Sequence, residues 1–195
     1  MSAYRLVRAV VGPGLRAFFG TRAEGAPLPS GPIVVVSNHD SLADPFFLGT
    51  ALARSLRFVA KEELWASRPV GWMMDALGAI PVRRGRGDRD AMVAAAAALR
   101  RGEAVALFPQ GTVLGTDDRA WHRGAARLAL ATGAPIVPVR IVGADRALRP
   151  GTRLPRRARV RVVVGAPIRV EPAQPTIAAA RDLTARVRAA IAALG

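Results

Sequence analysis

The strongest constraint on the fold is a rhythm of short β-branched runs separated by segments of helical period. "IVVVS" at Ile33 to Ser37 follows Gly31-Pro32 and has no polar alternation. A strand that is apolar at every position is covered on both faces, as in a parallel sheet with helices above and below. Runs of the same kind recur as "RFVAK" (57–61), "AIPV" (79–82), "AVALF" (104–108), "PIVPVRIVG" (135–143) and "ARVRVVVG" (158–165). Between them lie helical segments. Asp44-Pro45 reads as an acidic N-cap followed by proline at the first helical position. Asp88 is expected to cap a long helix that stops at Arg100-Arg101-Gly102, and "RGAARLALAT" closes at Gly133. From Thr176 onward, Ile177, Ala180, Leu183, Val187, Ile191 and Leu194 form one helical stripe, which predicts a docked terminal helix. Residues 23–31 and 146–157 read as loops. The expected architecture is α/β, a single domain with a mostly parallel central sheet flanked by helices.

The N-terminal segment is a separate question. Tyr4, Val7 and Val11 share a helical face, and Leu15, Phe18 and Phe19 continue it after a break expected at Gly12-Pro13-Gly14. Arg5, Arg8 and Arg16 flank these residues. Residues 1–22 therefore read as an amphipathic segment suited to a membrane interface or to docking on the domain, and residues 23–195 as the domain itself. No signal peptide is expected and no apolar run is long enough to span a bilayer. Of Trp65, Trp72 and Trp121, Trp72 is expected in the core; a place at the membrane interface is the alternative for all three.

Open α/β sheets place their sites at the carboxyl ends of the strands. One of only two histidines, His39, stands where "IVVVS" ends, with Asp44 one strand-to-helix turn further on. A carboxylate fixes the tautomer of a neighbouring imidazole and raises its basicity. This spacing suits a base and its orienting partner, with the nucleophile, a hydroxyl, supplied by the substrate. Cysteine is absent, so no thiol nucleophile and no thiolate metal site exists. Ser41 reads as a turn residue. His39 and His122 lack metal-ligand spacing, so no metal is expected. There is no phosphate-binding P-loop, nucleophile elbow or zinc helix.

Four ordered blocks give the pair its context. "SNHDSLAD" contains Asn38, His39 and Asp44 in the pattern N-H-x4-D. "GAIPVRR" ends on Arg83 and Arg84, "LFPQGT" carries Gln110, Gly111 and Thr112, and "APIVPVRI" centres on Pro138. In order and spacing these resemble the phospholipid/glycerol acyltransferase family, whose best-known members are the lysophosphatidic acid acyltransferases. The resemblance covers roughly residues 25–170. It implies transfer of a fatty acyl group from acyl-CoA or acyl-carrier protein to a lipid hydroxyl in phospholipid biosynthesis, with His39 as general base and Asp44 as its partner. The thioester is a co-substrate, and no other cofactor is implied. Asn38, Lys61, Arg83, Arg84, Gln110, Gly111, Thr112 and Pro138 are the expected substrate-binding positions. Backbone N–H groups near Gly111 and Thr112 are expected to hold the oxyanion, unless they merely close a turn.

The third block departs from the family. Gln110 replaces its glutamate and Val113 its usual arginine. Losing both charges of a buried pair is nearly neutral, whereas losing one is costly. The fold is therefore expected to persist with altered acceptor chemistry. A phosphate on the acceptor would rely on Lys61, Arg83, Arg84 or Arg86; a glycolipid, an amino-acid lipid or another lysolipid is the alternative. An apolar groove for the acyl chain is expected along Phe46, Phe47, Leu48 and Leu77. A net charge of +15, almost all arginine, favours an anionic membrane surface, and the expected location is cytoplasmic, peripheral on the inner face of the cell membrane. The charge also permits nucleic acid, but 5% aromatic residues and no recognised module argue against that partner. A catalytically impaired lipid- or acyl-binding homologue is the remaining alternative.

Overall fold

The computed structural model describes residues 3–83, 89–111, 113, 121–148 and 154–195. Seven strands form the sheet: β1 (Arg22–Gly25), β2 (Ile33–Ser37), β3 (Leu56–Lys61), β4 (Ile80–Val82), β5 (Ala104–Leu107), β6 (Ile136–Val142) and β7 (Arg161–Val164). Their spatial order is β1-β7-β6-β2-β5-β3-β4. Every neighbouring pair is parallel except β6 and β7. The expected mostly parallel sheet is present.

The unbroken apolar run of β2 has a direct cause. Val34 and Val36 enter one core cluster with helices α4 (Arg89–Arg100), α5 (Gly124–Thr132) and α7 (Ile177–Ala192). Ile33 and Val35 enter the other, with α1 (Ala3–Phe19), α2 (Asp44–Ala51) and the short α6 (Ala144–Ala147). All four side chains are essentially inaccessible to water. Thr176 caps α7 by accepting the Ala179 N–H at 3.2 Å, and the predicted stripe buries Ala180, Leu183, Val187 and Ile191. A 3₁₀ turn at Glu62–Ala66 and α3 (Arg68–Ala76) connect β3 to β4.

Four expectations need correction. Residues 23–25, read as loop, belong to the edge strand β1, which pairs with β7 through its backbone and an Arg161–Glu24 ion pair at 2.8 Å and carries no apolar alternation. Gly25 is required there: its φ is +91°, and a Cβ would lie 2.2 Å from the Val164 carbonyl oxygen. The Gly12-Pro13-Gly14 break does not occur, because α1 continues through Pro13 while Tyr4, Gly12 and Phe19 pack inward. Trp72 is not a core residue but 75% exposed on α3. Asp44 is not the N-cap; Ala43 occupies that position with no side-chain bond, and the Asp44 carboxylate is turned to other work. Asp88 lies outside the described residues.

Candidate active site

The carboxyl ends of β2, β5, β3 and β4 form one edge of the sheet, in that order. β2 delivers Asn38 and His39, β5 delivers Phe108 to Gly111, β3 ends on Lys61, and Arg83 follows β4. With strands ~4.8 Å apart, Lys61 stands about 10 Å and Arg83 about 14 Å along this edge from the His39 position.

The turn from β2 into α2 is organised by one oxygen. Asp44 Oδ2 accepts from His39 Nδ1 at 3.0 Å, from the Asp40 N–H at 2.7 Å and from the Ser41 N–H at 2.8 Å. Asp44 is fully buried, and burial pushes its carboxyl above the usual range, while the bonds from His39, Ser41 and Asp40 pull the other way. Its second oxygen has no partner among the described residues. His39 is thus held through Nδ1, its Nε2 makes no hydrogen bond among the described residues, and 15% of its side chain reaches solvent. The Phe108 ring stacks on the imidazole at 4.3 Å, with Phe58 stacked behind it.

Neighbouring side chains secure this turn to the sheet. The Asn38 amide acts as one more rung between β2 and β6: it accepts the Ile141 N–H at 2.7 Å and donates to the Ile141 carbonyl at 2.9 Å. The same Nδ2 donates to Asp40 Oδ2 at 2.6 Å. Ser41 Oγ is buried and donates to the Leu148 carbonyl at 2.9 Å, as fits a turn residue rather than a nucleophile. From the β5 turn, Gln110 Oε1 accepts the His39 N–H at 2.5 Å.

The expected site residues thus separate into groups. Asn38, His39, Asp44, Gln110 and Gly111 come together. Lys61 and Arg83 line the same edge, Arg83 in a bidentate pair with Glu62 at 2.6 Å and 3.0 Å. Pro138 is buried inside β6 opposite Val36, and its carbonyl accepts the Gly165 N–H at 2.9 Å just past the last rung between β6 and β7. Arg84, Arg86 and Thr112 lie outside the described residues. The Gly111 N–H is already donated to the Phe108 carbonyl at 3.0 Å, so it closes a turn, with the glycine at φ +68°. His122 is exposed, and its backbone N–H reaches the Pro109 carbonyl. Of the groove residues, Phe46 and Leu77 line a small cavity with Tyr4, Val7, Gly49 and Phe58, whereas Phe47 and Leu48 are core. Sequence reasoning did not find Phe108 as the ring against His39; its place between a strand and the Pro109-Gln110 turn was the available signal. The contact between Gln110 and the His39 backbone, across 71 residues, has no local signal at all.

Among the described residues no group of His, Cys, Asp and Glu has metal-binding proximity, and no helix is long and apolar enough to cross a membrane. The Acyltransferase family model matches residues 21–142. The chain is 31% identical over 150 residues to the chloroplastic 1-acyl-sn-glycerol-3-phosphate acyltransferase BAT2 of Brassica napus, a match covering 74% of this chain and 43% of that one. It is 37% identical over 125 residues to the lyso-ornithine lipid O-acyltransferase of Pseudomonas aeruginosa, covering 63% of this chain and 47% of that one. The chain therefore spans less than half the length of these two relatives. The crystal structure of the 1-acyl-sn-glycerophosphate (LPA) acyltransferase PlsC from Thermotoga maritima shares the fold, with a TM-score of 0.70 at 23% identity, covering all of this chain and 82% of that one. With the family model matching residues 21–142, across most of the sheet, the chain belongs to the acyltransferase family.

Proposed function

We propose that this protein moves a fatty acyl group from an acyl-CoA or acyl-carrier-protein thioester to the hydroxyl of a lysolipid, as a 1-acylglycerol-3-phosphate acyltransferase does. The observation that carries this reading is the His39–Asp44 pair, bonded at 3.0 Å through Nδ1 with Nε2 left for the substrate. As the acceptor oxygen bonds to the thioester carbon, its proton passes to Nε2, and Asp44 steadies the imidazolium that forms. Collapse of the tetrahedral intermediate breaks the carbon–sulfur bond, and His39 returns the proton to the departing thiolate. The absence of cysteine and the engagement of Ser41 Oγ with Leu148 support direct attack without an acyl-enzyme.

Lys61 and Arg83 are the described cations on the site edge suited to an anionic headgroup or to the phosphates of CoA. For Arg83 such a ligand competes with Glu62. The lyso-ornithine lipid acyltransferase among the relatives favours an amino-acid lysolipid as the second acceptor class to examine. Attachment to the inner face of the cell membrane fits α1, whose outward residues include Leu6, Val10 and Phe18, with Arg157 positioned over the Phe18 ring at 5.9 Å.

The test is thiol release from palmitoyl-CoA and from palmitoyl-carrier protein, with lysophosphatidic acid, other lysophospholipids, monoacylglycerol and lyso-ornithine lipid as acceptors. Acceptor-dependent release that disappears in His39→Ala is the expected result. Release in that variant at the wild-type rate, or none with any pairing in a folded wild-type protein, would overturn the reading. Co-sedimentation with anionic but not neutral vesicles checks the membrane surface.

A further inference from the structure

We infer that Gln110 is a positioning residue for His39, and that its lack of charge sets the lower end of the pH range in which His39 works; the inference rests on the general-base reading above. The contact is unambiguous in sense. A backbone N–H only donates, so the Gln110 oxygen, not its nitrogen, faces His39. The His39 side chain is thereby fixed from outside its own turn as well as from within it. Gln110 holds the backbone from which the side chain springs, Phe108 covers one face of the ring, and Asp44 takes Nδ1. An imidazole held at one nitrogen still swings about its Cβ bonds if its backbone is free. Proton transfer tolerates little of that motion, because the acceptor hydroxyl must lie within hydrogen-bond reach.

A glutamate at position 110, the residue of the family block, would accept the same N–H. What differs is charge. Asp44, from α2, is the carboxylate bonded to the ring, while the adjacent Asp40 is turned to Asn38. Phe108 and Phe58, from β5 and β3, bring no charge. A second carboxylate, bonded to the backbone of His39 itself, is close enough to favour the imidazolium. An imidazolium cannot take the acceptor's proton. Glutamine therefore supplies the oxygen that positions His39 and leaves it available as a base at lower pH than a glutamate would.

The test compares Gln110→Glu and Gln110→Ala with the full-length wild type, using palmitoyl-CoA and the best acceptor of the panel. In Gln110→Glu, the acid limb of the kcat/KM profile moves up by about half to one pH unit, read against the variant's own plateau. In Gln110→Ala, kcat falls about 10- to 100-fold with KM nearly constant. The limb stays in place, and the His39 backbone amide exchanges with solvent faster by NMR. Thermal melts of both variants separate these effects from unfolding, and Gln110→Glu carries the test alone if the alanine variant does not fold. An unmoved limb in Gln110→Glu, or wild-type kcat and His39 exchange in Gln110→Ala, would overturn the inference. His39→Ala distinguishes the two levels: loss of activity there with wild-type behaviour at position 110 sinks only this inference, whereas retained activity removes the base itself.

Discussion

Two turns leave neighbouring parallel strands at the same edge of the sheet, and they are built in opposite ways. The turn after β2 is held from within. One Asp44 oxygen gathers three donors, and Asn38 and Ser41 anchor the loop to Ile141 and Leu148. The turn after β5 is held mainly by its own backbone, with Gly111 closing on Phe108 and His122 on Pro109. It meets the first turn through the Gln110 side chain and the Phe108 ring. The contrast explains where this sequence keeps the family pattern and where it departs. A change inside the first turn disturbs several buried bonds at once. At position 110 any side-chain oxygen at the same reach satisfies the one bond required, so the charge is open to change.

The largest expected effect is therefore Asp44→Asn. The variant keeps the volume but no longer fixes the His39 tautomer, and activity falls by about 10³-fold or more while the fold persists. Stability moves differently. Burial holds the Asp44 carboxyl above its ordinary range, so the folded chain keeps that proton to higher pH than the unfolded chain. The group's contribution to stability accordingly falls as pH rises from the ordinary carboxyl value through the raised one. Asparagine does not titrate, so that fall is missing from the variant. Urea denaturation of both proteins across acid to neutral pH measures the difference. Matching pH dependences, or retained activity, would show that the first turn is not organised around this charge.

Next in size is the contrast between Asn38→Ala and Gln110→Ala. Without the Asn38 amide, the N–H and the carbonyl of Ile141 both lose a buried partner, at a cost of about 3 kcal/mol. Gln110 is only partly buried, so water replaces its bond, and the loss is about 1 kcal/mol or less. Equal destabilisation of the two variants by urea titration would break the distinction between a turn held from within and one held by its backbone.

The same distinction governs what was legible in the sequence. Continuous β-branched runs and helical stripes are local signals, and they located six of the seven strands and the terminal helix. β1 escaped because an edge strand of sequence Arg22-Ala23-Glu24-Gly25 has no apolar alternation to mark it. Trp72 was misjudged because a large apolar side chain on an amphipathic helix does not state which face is buried. His39 and Asp44 were legible because both chemistry and spacing are local. Their supports at Ile141, Leu148 and Gln110 come from 71 or more residues away, where only the folded sheet brings them near.

The smallest expected effect is at the far end of α2, and it bounds how local the site is. Tyr4 of α1 is buried and donates its hydroxyl to the Gly49 carbonyl at 3.2 Å, in the C-terminal half of the helix that Asp44 begins. Tyr4→Phe removes this bond and keeps the ring, so stability drops by about 1 kcal/mol. If α2 transmitted its anchoring to Asp44, acyl transfer would fall as well. The three donors on Asp44 Oδ2 fix that carboxylate independently of the helix's far end, so activity stays within about twofold. An alkaline titration separates the hydroxyl from the ring. Burial pushes the Tyr4 phenol up to about 12, against a bond to the Leu56 backbone and the charge of Arg8, which lower it. The folded chain then holds the phenolic proton where the unfolded chain has lost it, and stability declines between pH 10.0 and about 12. Denaturation of Tyr4→Phe over that interval shows a shallower decline than the wild type. A large loss of turnover in this variant would mean that α1 belongs to the catalytic unit rather than to its support.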